Sequence, residues 1–312
     1  MYVQHSTAGK WWWWSSDETQ WPGQCRTGDL QSPINIMTRS ALFDKHEAHI
    51  RGPLVFRGYG DVKVTAENNG HTLKWSKVLG TPAPTLSGGP LRGNYSFLQF
   101  HLHWLSEHAI DGMKYPLEIH MVHVKTGLTV DEAVGRPDGL AVLGILAQVR
   151  SADDESQFAL EEIMPAVGKL VDQTVLGLEP KTIDLRRLLS PLPQSFYTYH
   201  GSLTTPMCQE VVTWIVMDRP LSISDTQYKQ FSRVNVGGID NYRSLQPANR
   251  VVYRSMASCS AVMLPSVLGT FAGFLSCLSS SLTVGVFKGI CLLGNIKRKF
   301  LGRDIKQCDK TE

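Results

Sequence analysis

Five of the chain's ten histidines fall within residues 97–123, FLQFHLHWLSEHAIDGMKYPLEIHMVH. Neutral imidazole is a common metal ligand and the one side chain that ordinarily titrates near neutral pH, so this density points to metal or proton chemistry. Read with a period of two, the run from Phe97 puts Gln99, His101 and His103 on one face and Leu98, Phe100 and Leu102 on the other. A second run, Leu117 to Val124, puts Glu118, His120 and Val122 on one face and Ile119, Met121 and His123 on the opposite one. With the two runs side by side, His101, His103 and His120 converge on one point. Three neutral nitrogen donors are the ligand count of a catalytic zinc (Zn2+) whose fourth tetrahedral position is left to water. Gln99 shares a face with His101 and Glu118 with His120, where each can accept the second ring N–H that orients a metal-bound imidazole. A lone histidine is more often a satisfied core residue, and His108 and His123 are read that way, as structural hydrogen-bonders. The combination of H-x-H with Q-x-H and E-x-H argues against that reading for the other three.

The elements that must carry these residues are mostly strands. VKVTAENN, TLKWSKVL, LAVLGILAQV and EVVTWIVM are strand-like runs separated by Gly, Pro and Asp turns, with one helical run near Glu155 to Val171. The fold class is therefore mainly β with a few helices. A 312-residue chain with 42% hydrophobic and 19% charged residues can bury one sizeable core and still leave terminal appendages. Its formal net charge of +3 is too small to suggest nucleic acid as a partner.

Taken in order, Trp21, QSPINI (31–36), NNGH (68–71), QFHLHW (99–104), SEH (106–108), EIHMVH (118–123), DGLAVLG (138–144), YHGSLTTP (199–206), TWIV (213–216) and NYRSLQP (241–247) resemble the alpha-class carbonic anhydrases over most of the chain, the membrane-bound and extracellular members in particular. The resemblance implies a large, twisted, mostly antiparallel sheet, and zinc on His101, His103 and His120. It implies a reaction in which bound hydroxide attacks carbon dioxide to give bicarbonate and a proton, open to sulfonamide and anion inhibitors. The physics is consistent, because zinc held by three imidazoles lowers the pKa of its water from 15.7 to about 7. By the same resemblance Thr204 accepts a hydrogen bond from the hydroxide and donates its own to Glu107, and Thr205 holds solvent and bicarbonate. Val122, Val142, Leu203 and Trp214 wall the apolar carbon dioxide pocket. His71 relays protons to buffer with an ordinary pKa of about 6.5, Asn69 orders water, and Lys74 replaces a usually neutral amide, its charge expected to depress the pKa of His71. From the residues alone, the apolar four are core residues, Thr204 is a turn threonine bonded to local backbone, and His71 is a solvent-exposed turn histidine; these readings stay open. So does a second function, a catalytically weak or inactive carbonic anhydrase-like membrane binding or adhesion module, although all three histidines are retained.

Departures from the family pattern are expected to alter rims around an intact centre. A single Leu105 joins Trp104 to Ser106 where a longer loop is usual, the segment between Val234 and Asn241 is short, Met207 replaces a proline and is expected to loosen the threonine turn, and Trp12 stands near the place of an active-site tyrosine. The resemblance matches Cys25 and Cys208 to positions that are disulfide-linked in secreted and membrane-bound members, two free thiols being the alternative. Asn94-Tyr95-Ser96 is a glycosylation sequon.

Four regions are expected: a divergent N-terminal segment 1–20 containing Trp11 to Trp14, a catalytic domain 21–254, a candidate transmembrane segment 255–287, and a basic cytoplasmic tail 288–312. Residues 255–287 are 33 positions without a charge, and residues 288–312 hold seven Lys or Arg against three Asp or Glu. This pattern predicts a single-pass plasma-membrane protein with an extracellular catalytic domain. A lipid anchor near Ser255 or Ser258 and a secreted protein are the alternatives, and residues 1–20 show no secretory signal pattern.

Overall fold

The structure, a computed structural model, describes residues 17–44, 48–150, 159–172, 177–189, 195–236 and 241–255. Seven strands form the centre of a thirteen-stranded sheet: β1 (Val62–Asn68), β2 (Leu73–Lys77), β3 (Tyr95–Trp104), β4 (Leu117–Lys125), β5 (Leu140–Val149), β6 (Phe196–Gly201) and β7 (Val212–Met217). Their order across the sheet is β1-β2-β3-β4-β5-β7-β6. All these neighbours are antiparallel except β5 and β7, which run parallel. The sheet is thus mixed but mostly antiparallel, with few helices.

The central strands are buried on both faces, so β5 is almost wholly apolar, while β4 buries Glu118, His120 and His123 among its apolar residues. One face carries Leu102, Leu117, Ile119, Met121, Leu143 and Ile145 into the larger core, where Trp75 stacks on Phe100 with ring centroids 5.0 Å apart. The other carries Val122, Val124, Val142, Leu146, Trp214 and Val216 into a second cluster. Period-two alternation fails at one point. Val122 pairs with Gln99 but His123 pairs with Phe97, so Leu98 is an extra residue in a β-bulge. Phe97 therefore joins Phe100 and Leu102 in the larger core, while Leu98, expected beside them, packs against the second cluster.

The expected helix near Glu155 to Val171 is shorter, Met164–Lys169, and residues 151–158 lie outside the described residues. Pro165 sits in its first turn, the one helical position where a missing N–H costs nothing. Two helices that went unread, Val130–Ala133 and Asp225–Phe231, both open with a capping box, Thr129 with Glu132 and Ser224 with Gln227.

The membrane placement is corrected. Among the described residues no helix is long and apolar enough to cross a membrane. The longest, Asp225–Phe231, has seven residues, about 10 Å at 1.5 Å per residue against a hydrocarbon core of roughly 30 Å. The single-pass plasma-membrane expectation, with the C-terminal segment as a membrane partner, is therefore withdrawn. Residues 256–312, with nearly all of the candidate span and the basic tail, and residues 1–16, with Trp11 to Trp14, lie outside the described residues.

Cys25 and Cys208 form a disulfide with Cα atoms 4.9 Å apart and a sequence separation of 183. It fastens the N-terminal segment to the loop that carries Thr204. Met207 in that loop has φ of 78°, far from the −65° of a proline, so a proline could not take this backbone. The turn is not loose, because Cys208 N donates to Thr205 O at 2.9 Å and Gln24 N to Met207 O at 3.0 Å. Closing so long a loop restricts the unfolded chain by about 5 kcal/mol in the chain-entropy model. Cys25→Ser together with Cys208→Ser should accordingly lower Tm by about 10 °C, and a calorimetric scan showing no change would contradict this.

Candidate metal centre

Strands β3 and β4 pair so that His120 faces His101 and Glu118 faces His103. The three ring centroids are 5.1 Å (His101 to His103), 5.2 Å (His101 to His120) and 4.6 Å (His103 to His120) apart. One nitrogen from each ring lies within 4.8 Å of the others. His103 and His120 are buried and His101 is half-buried.

The far nitrogen of each ring is engaged, and that decides the tautomers. His101 Nδ1 donates to Gln99 Oε1 at 3.0 Å, His103 Nδ1 to the Asn241 carbonyl at 2.5 Å, and His120 Nε2 to Glu118 Oε1 at 2.8 Å. The acceptors are an amide oxygen, a carbonyl and a carboxylate, so the protons sit on those nitrogens. Lone pairs are left on Nε2 of His101, Nε2 of His103 and Nδ1 of His120, all facing the common point. His103 Nε2 is buried with no hydrogen-bond partner. A buried, electron-rich nitrogen without a protein partner has the character of a metal ligand, and the donor set fits zinc. Gln99 and Glu118 take the positions expected of them; Asn241 was missed, since a backbone carbonyl far along the chain leaves no side-chain signature.

Charge is arranged to suit. Burial, followed by the fields of His103, His120 and Lys74, holds His101 well below the usual imidazole range, and burial lowers His103. Burial opposes the charge on Glu118 too, but His108 and His120 outweigh it and hold the carboxyl well below its ordinary range. The ionised Glu118 in turn raises His120 against the effect of burial. His108, Glu118 and His120 are also close enough to suggest a second metal trio. Their atoms are spent on one another, however: Glu118 Oε1 accepts from His108 Nδ1 at 2.7 Å as well as from His120, and Glu118 Oε2 accepts His108 N at 2.8 Å. His108 Nε2 lies 2.6 Å from the Tyr199 hydroxyl. His123 points into the larger core, 2.7 Å from the Tyr59 hydroxyl, and burial pushes its pKa down to about 4.

Around the trio, Val122, Val142 and Trp214 are buried in one apolar cluster with Leu203 packed against it. The Trp214 ring is centred 4.8 Å from that of His120, and its Nε1 donates to the Ser202 carbonyl. Thr204 is buried and Thr205 half-buried. The expected bond from Thr204 to Glu107 is not formed. Glu107 Oε1 accepts Arg243 N at 2.8 Å, while Oε2 has no hydrogen-bond partner and sits 3.6 Å from His103 Nε2 and 3.7 Å from His120 Nδ1, drawn toward the histidines.

The NNGH turn is held by its own side chains and partly covered. Asn69 Oδ1 accepts His71 N at 3.0 Å and Thr72 N at 2.9 Å, so this oxygen builds the turn. His71 is half-buried rather than exposed, and burial lowers its pKa to about 4. Burial is the whole cause; Lys74, whose ammonium pairs with Glu67 of β1 at 2.5 Å, adds nothing to it. Asn94 is exposed just before β3, and residue 105 crosses its one-residue connection with φ of 70°.

Removing one nitrogen should matter more than removing one orienting oxygen. His103→Ala is expected to lose stoichiometric zinc on dialysis, and Gln99→Ala to raise the zinc dissociation constant about tenfold, measured by chelator competition. Unchanged affinity in both variants would contradict the arrangement.

Comparison with known proteins agrees with this geometry. Residues 12–256 match the eukaryotic-type carbonic anhydrase family. The chain is 34% identical over 285 residues to putative carbonic anhydrase 5 of Caenorhabditis elegans, covering 83% of this chain and 87% of that protein. It is 33% identical over 245 residues to mouse carbonic anhydrase 7, covering 73% and 89%, and 32% identical over 251 residues to human carbonic anhydrase-related protein, covering 73% and 83%. On the match over most of its length, the chain belongs to the eukaryotic-type carbonic anhydrase family.

Proposed function

We propose that this chain catalyses the zinc-dependent, reversible hydration of carbon dioxide to bicarbonate and a proton, through a domain spanning residues 21–254. The observation that carries the reading is the set of three converging lone pairs, with the far side of each ring fixed by a different acceptor. The family is zinc dependent, and zinc would supply a Lewis acid able to ionise water near neutral pH. His101, His103 and His120 would hold it, with Gln99, Glu118 and the Asn241 carbonyl keeping the rings in the ligating tautomer. Val122, Val142, Leu203 and Trp214 would exclude water and receive an apolar, linear molecule. Thr204 would orient the reacting oxygen through Glu107, whose Oε2 lacks a partner, and Thr205 would hold bicarbonate beside it. His71 would move protons to solvent, and at a pKa of about 4 it is neutral but a weak acceptor at pH 7.

Some members of the family are inactive, so a binding module is the competing reading. Stopped-flow carbon dioxide hydration by the zinc-loaded protein separates the two. Turnover abolished by His103→Ala and by a sulfonamide is expected; stoichiometric zinc without turnover would favour the binding module. Because His71 accepts protons poorly, added imidazole buffer at pH 7 is expected to raise turnover about tenfold, within the range of general acid–base effects. Turnover indifferent to buffer would contradict the depressed pKa.

A further inference from the structure

A cleft separate from the histidine centre gathers positive charge. Its volume is about 170 Å3, and its lining includes Arg51, Arg92, Arg250, His49 and His200 over the ring of Tyr199. Among the described residues no carboxylate lines it. The nearby acids lie outside the lining and are held by other groups, Asp138 by Lys125, Glu210 by Leu30 N and the Gln31 amide, and Asp44 by the N–H groups of Ala48, His49 and Ile50; Glu210 still attracts Arg250 and Asp138 still attracts His200 from there. Arg250 is held over Tyr199 at 5.6 Å, donating to the carbonyls of His200, Gln31 and Pro247 at 3.1, 2.9 and 3.2 Å, and its buried Nε has no partner. Carbonyls orient a guanidinium without neutralising it. Arg51 and Arg92 are exposed at the rim, and after burial it is the charge of Arg92 that most lowers His200.

Three guanidinium groups lining one concavity, with no carboxylate among its described lining residues, focus a positive potential. The planar forks of the exposed Arg51 and Arg92 each match two oxygens of an oxyanion, while Arg250, its amino groups engaged by carbonyls, adds charge from below. We propose that this cleft binds a phosphate-type dianion, held by Arg51 and Arg92 with the charge of Arg250 behind them. The same chemistry is offered by free phosphate and by a phosphomonoester. His49 stacks on Tyr253 at 3.9 Å in the same lining, a flat wall on which a planar organic group can rest.

The test is calorimetric titration of the zinc-loaded full chain at low ionic strength, with a sulfonamide saturating the histidine centre, using inorganic phosphate in one arm and phenyl phosphate in the other. One saturable site that weakens with added salt is expected. Arg51→Gln combined with Arg92→Gln, both at the exposed rim, should raise its Kd at least about tenfold without changing Tm or carbon dioxide hydration. Tighter phenyl phosphate would identify an organic ester as the preferred source, and equal or weaker binding would identify free phosphate. No saturable binding, a Kd indifferent to the double variant, or binding lost when the sulfonamide is present would overturn the proposal. The readout needs no turnover, so it stands or falls apart from the catalytic reading.

Discussion

Three imidazoles whose inner nitrogens lie within 4.8 Å of one another must present lone pairs rather than protons to the space between them, and the rest of the site is organised around that requirement. Burial alone favours neutral rings, as it does at His101 and His103. It does not choose which nitrogen keeps the proton. That choice is made by an acceptor behind each ring, a different one every time: an amide, a backbone carbonyl and a carboxylate. A bound dication would then take the place that a proton competes for at His120, where Glu118 favours the charged ring.

Glu118 is the most demanding of these acceptors. A wholly buried carboxylate is tolerable only when several donors meet it, and Glu118 accepts from His108 twice and from His120 once. His108 is therefore as necessary as a ligand although it faces no metal. Its other nitrogen reaches Tyr199, whose hydroxyl lies 3.1 Å from Ser32 Oγ. Ser32 Oγ accepts Ser202 N, and Trp214 Nε1 donates to the Ser202 carbonyl, so the support passes through one continuous set of buried polar groups to the loop that carries Thr204. Asn241 and Arg243 close the other side, bonding His103 and Glu107. Rigid support of this kind suits a site in which small displacements of a donor cost much of its effect.

How much of this was legible follows from the range of each interaction. Alternation within β3 and β4 brings His101, His103 and His120 together, because a period of two is a local property. Alternation cannot foresee an inserted residue, so Leu98 was put on the wrong face. The capping boxes at Thr129 and Ser224 are local signals, but the helices they open are only four and seven residues long, too short for a helical period to show. Asn241 O and Glu67 act across large separations or between strands, and no spacing rule announces them. The burial of His71 depends on what packs over a turn, so its lowered pKa follows the expected direction but comes from burial rather than from the charge of Lys74.

The most direct test of the central arrangement is X-ray absorption at the zinc edge of the metal-loaded protein. Three imidazole nitrogens and one light-atom ligand, all at about 2.0 to 2.1 Å, are expected. A first shell with fewer than three imidazoles, or one containing sulfur, would contradict the account.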